Sequence, residues 1–191
     1  MRHPSLLPLM IIILLCYIHS TVSGSSNHLI QQTCKNCSET DPNINYKFCI
    51  TSFKSDPRSH CVKNLTELGL LSIKLIRCNV SDTRIHIKKL LKKDKLDPFI
   101  KECLDDCLEV YSDAITSLRE AIKDYKAKRY ADSNVKLSSV IDACTTCEDG
   151  FTQKNGVVSP LTKRNNDTFQ LSAIALSIIN MLNEDKLKDT F

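Results

Sequence analysis

The chain has 191 residues, of which 42% are hydrophobic and 25% charged, with a formal net charge of +4. That length fits one domain or two small ones, the balance of charge argues against disorder, and +4 is too mild to point to nucleic acid. Four glycines, isolated at Gly24, Gly69, Gly150 and Gly156, are too few for an all-β chain and leave no Gly-rich phosphate loop.

Residues 1–24 are predicted to be a secretory leader. Arg2 provides the positive start, Leu6 to Ile18 the apolar run, and Ser20 to Gly24 the small residues before cleavage. Thirteen apolar residues are too few for a membrane span, and no second long apolar run follows. Cleavage removes Cys16 and leaves nine cysteines in an oxidising compartment, an odd number, so at least one thiol stays outside any internal bridge. Four sequons agree with secretion and make Asn36, Asn64, Asn79 and Asn166 the expected glycosylation sites.

Residues 28–54 are predicted to form a hairpin of two short helices turning around Asn43-Ile44-Asn45 and ending at Asp56-Pro57. A helix follows over Asn64 to Lys93, with Leu65, Leu68, Leu71, Leu75 and Cys78, then Ile85, Ile87, Leu90 and Leu91. Its pattern lapses at Asn79 to Asp82, which predicts a kink or a weak spot. The clearest helix runs from Pro98 to about Tyr125. Ile100, Cys107, Ala114 and Ala121 are spaced by seven, as are Leu104, Tyr111, Leu118 and Tyr125, so both rows share one stripe. Asp97 is its N-cap and Pro98 its first residue. Another helix covers Ala131 to Phe151, a loop Thr152 to Asn166, and a last helix Asp167 to Asn183 with Asp167 as N-cap. Nothing alternates long enough to argue a sheet. The prediction is an all-α, up-and-down antiparallel four-helix bundle (residues 58–191) preceded by a helical hairpin (25–57), one domain over 25–191.

Cysteine spacing adds staples. One of Cys34 and Cys37 can reach Cys49 and close the hairpin. Cys103 and Cys107 can face Cys144 and Cys147 across antiparallel helices. The Cys-x-x-Cys pairs at 34/37 and 144/147 also look like zinc half-sites or redox pairs, but the oxidising compartment and the helical setting favour disulfides, and no metal or cofactor is expected.

At these residues the sequence resembles the plant invertase and pectin methylesterase inhibitor family. The likeness runs through Ile30-Gln31-Gln32-Thr33-Cys34-Lys35, Asn45-Tyr46-Lys47-Phe48-Cys49, Ser55-Asp56-Pro57-Arg58-Ser59 and Leu104-Asp105-Asp106-Cys107-Leu108-Glu109-Val110-Tyr111. It continues through Thr146-Cys147-Glu148-Asp149-Gly150-Phe151, Ser159-Pro160-Leu161-Thr162 and Gln170-Leu171-Ser172-Ala173-Ile174. It is strongest toward invertase inhibitors of the pollen-allergen type. The resemblance implies bridges Cys34–Cys49 and Cys107–Cys147, with Cys37, Cys61, Cys78, Cys103 and Cys144 extra. The ladder Cys103–Cys147 with Cys107–Cys144 fits antiparallel helices equally well.

Catalysis finds little support. His28, His60 and His86 form no defensible triad. The carboxylates Asp105-Asp106 and Glu148-Asp149 read as surface charges before they read as an acid–base pair. The resemblance implies instead a secreted, apoplastic or vacuolar, non-enzymatic inhibitor. Its partner is acid invertase or, alternatively, pectin methylesterase, with no nucleic acid and no membrane. In invertase inhibitors a Pro-Lys-Phe motif at a helix turn enters the enzyme's active site. Lys128-Arg129-Tyr130 stand there in this chain, keeping a cation and a ring but not the proline. A second basic run, Arg84, Lys88, Lys89, Lys92, Lys93 and Lys95, could meet acidic pectin or an acidic enzyme, although such a run is more often a solvated face. A disulfide-stapled lipid carrier is the reading from another class, and the regular stripe argues for a filled core against it.

Overall fold

The computed structural model describes residues 25–188, with side chains through Glu184. The leader expected over 1–24 lies outside the described residues. The described residues are helical or in turns, without strands. Helix α1 occupies 25–40, α2 Tyr46–Lys54, a 3-10 turn Pro57–Cys61, α3 Leu65–Leu90, α4 Pro98–Lys126, α5 Tyr130–Thr152 and α6 Thr162–Lys188. The four long helices close a square in which α3 packs on α4, α4 on α5, α5 on α6 and α6 back on α3. This is the up-and-down bundle, with the α1–α2 hairpin laid against α6.

The helix starts follow from side-chain caps. Asn45 accepts from Phe48 N (2.9 Å), Asn64 from Glu67 N (2.9 Å), and Asp97 from Phe99 N (3.0 Å) and Ile100 N (3.3 Å). Glu67 reaches back to the amide of Lys63 (2.8 Å), a shifted capping box. The amides at Asp97, chiefly that of Ile100, together with the Lys154 ammonium hold its carboxyl below the usual range. Both seven-residue rows of α4 point inward: Leu104, Tyr111, Leu118, Tyr125, Cys107, Ala114 and Ala121 are buried, with Ile100 half-buried.

Three local expectations are corrected. Helix α3 runs unbroken through Asn79 to Asp82, because Asn79 accepts the Thr168 hydroxyl of α6 (2.6 Å) and Val80 is fully buried. The lapse in apolar pattern is a polar contact, not a kink. Cys78 and Ile85 are exposed, so the core stripe of α3 runs instead through Leu68, Ile73, Ile76, Val80, Thr83 and Ile87. Helix α6 begins at Thr162 rather than Asp167, with the Ser159 hydroxyl accepting from Leu161 N (3.1 Å), and Asp167 pairs within the helix with Lys163 (2.6 Å). Asn165, read as loop, is 97% buried because its amide is needed inside.

That amide belongs to a polar layer crossing all four bundle helices. Tyr111 donates to Asn165 Oδ1 (2.7 Å) and lies 3.1 Å from the Thr168 hydroxyl. Asn165 Nδ2 donates to Glu148 (2.6 Å) and toward the sulfur of Cys147 (3.5 Å), while Thr162 donates to the other Glu148 oxygen (2.5 Å). Every member finds a partner, so the layer fixes helix register instead of weakening the core. Gln170 of α6 ties down the hairpin turn, accepting from Asn45 N (2.9 Å) and donating to Asn43 O (2.5 Å).

Two disulfides are formed. Cys34–Cys49 joins α1 to α2 with Cα atoms 5.7 Å apart, and Cys107–Cys147 joins α4 to α5 at 4.8 Å. Cys37, Cys103 and Cys144 are buried thiols, and Cys61 and Cys78 exposed ones. The alternative ladder is not adopted: the Cys103 thiol points to Gly150 O (3.5 Å) and that of Cys144 to Ile141 O (3.1 Å), one on either side of the bridge. Burial pushes the Cys144 thiol up to about 12, which makes it inert toward exchange at ordinary pH.

Candidate functional site

The turn between α4 and α5 closes in three residues, Ala127, Lys128 and Arg129. Arg129 N donates to Asp124 O (2.9 Å) and Lys128 N to Tyr125 O (2.9 Å). Those two bonds define a Schellman C-cap in which Lys128 takes the left-handed position, with φ of 58°. Glycine is the usual residue there because a Cβ raises the energy of that conformation. The hydrophobic contact that commonly closes the motif is replaced by charge. The Arg129 guanidinium pairs with Asp124 from α4 and, at 3.3 Å, with Asp132 from α5. Lys136–Glu120 (2.8 Å) and the Ser133 hydroxyl on Ala121 O (3.1 Å) tie the same two helices one turn further in.

The structure divides the three residues singled out in the sequence. Lys128 is exposed at the apex, flanked by exposed Lys126 and Ala127. Arg129 is exposed but spoken for by two carboxylates. Tyr130 is only 5% exposed, its ring packed 5.1 Å from that of Tyr125 at 53°. Tyr130, expected as an aromatic contact to a target, is thus placed with its ring beneath the turn, against Tyr125. Tyr125 in turn donates to Thr66 O (2.9 Å) over Gly69, where an added Cβ would lie 2.2 Å from the phenolic oxygen. Burial raises the Tyr125 hydroxyl above its ordinary range, so it stays protonated. The apex is thus a lysine on a strained backbone, braced through Arg129, Tyr130 and Tyr125 onto three helices. Sequence reasoning missed Asp124 and Asp132, whose only signal was their i−5 and i+3 offsets from Arg129.

The other candidates are placed as follows. Asn36, Asn64 and Asn166 are exposed, while Asn79 is half-buried against Thr168. Asp105 pairs with Lys101 (2.7 Å), and Glu148 is used by Thr162 and Asn165, so neither stands ready as an acid or base. Asp106 and Asp149 line a shallow depression of about 320 Å³ beside the Cys107–Cys147 bridge. Among the described residues no three His, Cys, Asp or Glu side chains gather as metal ligands, and no helix is long and apolar enough to cross a membrane. A concavity of about 800 Å³ opens to solvent at the hairpin, lined by Asn43, Tyr46, Phe48, Asn166 and Gln170 among others. The space between the bundle helices is occupied by Leu104, Tyr111, Leu118, Leu137, Ile174 and Ile178.

Comparison with known proteins then gives the family. The profile described as plant invertase/pectin methylesterase inhibitor matches residues 28–178. The chain belongs to this family. Its relatives include a Platanus acerifolia protein named "Putative invertase inhibitor", 43% identical over 88% of this chain and 92% of its own length. A namesake from Platanus orientalis is 45% identical over 82% and 91%. "Pectinesterase inhibitor 12" of Arabidopsis thaliana is 32% identical over 83% and 90%. Among solved structures, a mutant form of an Arabidopsis pectin methylesterase inhibitor superposes with a TM-score of 0.63 at 25% identity, over 72% of this chain and 89% of that one. The family's helical fold is therefore the fold described above, and the relatives are named as enzyme inhibitors.

Proposed function

We propose that this chain is a secreted, non-enzymatic inhibitor of acid invertase (β-fructofuranosidase) that inserts the α4–α5 turn into the enzyme's cleft. The observation that carries this reading is the 43–45% identity, over most of the chain, to relatives named as invertase inhibitors. The turn suits the task on physical grounds. Glycosidases work through carboxylates in open clefts, and an exposed ammonium on a braced apex pairs with such a carboxylate at small entropic cost. Lys128 is the contacting cation. Arg129 is a positioning residue, holding the apex through Asp124 and Asp132, and Tyr130 acts from within the core. Secretion places the protein in the apoplast or vacuole, where its bridges persist.

Pectin methylesterase is the second reading, favoured by the 32% identical pectinesterase inhibitor and by the structural neighbours. The test is residual activity of a purified plant acid invertase and of a plant pectin methylesterase, each mixed with the oxidised protein at mildly acid pH. The invertase reading expects loss of invertase activity that Lys128→Ala relieves. Loss of esterase activity alone, untouched by Lys128→Ala, overturns it and moves the contact to a bundle face.

A further inference from the structure

The end of the bundle opposite the α4–α5 turn carries a cationic surface that the inhibitory turn does not use. Residues 84–95 hold Arg84, Lys88, Lys89, Lys92, Lys93 and Lys95 against the single acid Asp94. That segment is +5 in a chain of +4, so the remainder nets −1. Lys88, Lys89, Lys92, Lys93 and Lys95 are all exposed, and none enters an ion pair among the described residues. The α3 dipole accounts for cations at Lys88 and Lys89, in its last turn, but not for those beyond it.

Two observations show that this charge is gathered against the local preferences of the fold. Arg164 sits in the first turn of α6, a helix start with no acidic residue, where the dipole disfavours a cation. It nevertheless stands beside the α3 cluster: Arg164, Lys89 and Lys93 all add to burial in depressing the His86 imidazole. Lys95 then adopts a left-handed backbone, with φ of 64°. Among the described residues the only two non-glycine positions with positive φ are Lys95 and Lys128, each an exposed lysine at one end of the bundle. Strain held at exposed charged positions is a mark of functional surfaces.

We propose that the α3 C-terminal end and the start of α6 form a docking surface for a linear polycarboxylate polysaccharide, a chain of uronic acid residues. Charge complementarity selects a polyanion, and the make-up of the surface selects this one. Its exposed cations, Lys88, Lys89, Lys92, Lys93 and Lys95, are all lysines, hydrated point charges suited to a flexible carboxylate polymer rather than to bidentate phosphate clamping. No exposed aromatic ring lies within it for base stacking, which argues against single-stranded nucleic acid. Ile85, 51% exposed on the same stripe of α3 as Lys88 and Lys89, offers a small apolar contact for sugar faces, too little to anchor in a bilayer. Carboxylates of pKa near 4 remain largely ionised at the mildly acid pH of a plant wall. The 29 residues of α4 separate the two ends by about 43 Å, so a polymer held at one end leaves the turn at the other free to engage an enzyme. The assignment stands whichever enzyme the turn inhibits.

The test is retention of the oxidised protein on insoluble polygalacturonate and on the same polymer fully methyl-esterified, with phosphatidylserine vesicles and duplex DNA as competitors. Retention on the free acid polymer, release by salt, and none on the ester are expected. The variant K88E/K89E/K92E/K93E, with its helical circular dichroism checked, should bind at least ~10-fold more weakly while inhibiting its enzyme unchanged. Reversing charge at the other end, K126E/K128E, should leave retention intact. Equal retention on the ester, retention indifferent to the four substitutions, or preference for vesicles or DNA would overturn the proposal. Absence of enzyme inhibition by the unsubstituted protein, with its retention intact, would instead count against the inhibitory reading alone.

Discussion

Replacing Lys128 by glycine should make the protein more stable and a worse inhibitor. A non-glycine residue at a left-handed C-cap costs about 1–2 kcal/mol, and Lys128 holds φ of 58° there. Glycine removes that strain but enlarges the unfolded ensemble, a cost of about 0.4–1 kcal/mol. The difference is a net gain of roughly 0.5–1 kcal/mol, or about 1–4 °C in Tm for a domain of this size. The Schellman bonds from Lys128 N and Arg129 N are backbone bonds and survive. Truncating a charge paired at a desolvated interface costs about 2–5 kcal/mol, so inhibition should weaken by at least ~30-fold. Lys128→Ala keeps the strain and loses the charge, so it should inhibit as poorly as Lys128→Gly without the rise in Tm. Thermal unfolding followed by circular dichroism, beside invertase inhibition titrations of the same three proteins, reads both effects. A glycine variant that inhibits within about threefold of the parent would refute the apical contact. One that melts lower would refute the left-handed cap.

Other consequences are more local. Gly69→Ala should cost roughly 1–2 kcal/mol, since overpacking against the Tyr125 hydroxyl outweighs the helix propensity gained, and the loss should shrink in a Tyr125→Phe background; a double-mutant cycle by urea unfolding measures it. Removing Cys107–Cys147 as a serine pair should cost about 4 kcal/mol and removing Cys34–Cys49 about 3, from loops of 40 and 15 residues, and equal losses would contradict the loop-entropy account. His86 has a folded pKa below its ordinary 6.5, owing to burial and then to Arg164, Lys89 and Lys93. The unfolded chain therefore binds that proton more readily, and stability should fall as pH drops below ~6.5 toward the folded value. His86→Gln should lose less stability than the parent between pH 7 and pH 5, and an identical pH dependence would show that the imidazole is not crowded by those cations.

The fold was legible where apolar spacing was regular. The two seven-residue rows of α4 mark a buried stripe that any bundle must cover, and Asp97-Pro98 announces its start. It was illegible where a polar residue did a core residue's work. Asn79 broke the pattern of α3 and Asn165 passed for loop because their partners, Thr168, Tyr111 and Glu148, lie on other helices. The turn at Lys128 was visible as a cluster of cations. What each residue does there depends on packing across the turn: a tyrosine after Lys-Arg looks like an exposed anchor until Tyr125 is seen beneath it. Spacing alone admitted two disulfide ladders, since Cys103 and Cys144 lie one turn from the bonded pair on either side, and only the meeting of the helices at Cys107 and Cys147 separates them.

The most direct test of the account is zero-length carbodiimide coupling of lysine amines to carboxylates in a mixture of the protein with acid invertase, mapped by mass spectrometry. The account predicts a bond from Lys128 to an acidic residue lining the invertase active-site cleft, absent from the Lys128→Ala variant. Links that map only to lysines on the bundle faces, or that form with pectin methylesterase and not with invertase, would contradict it.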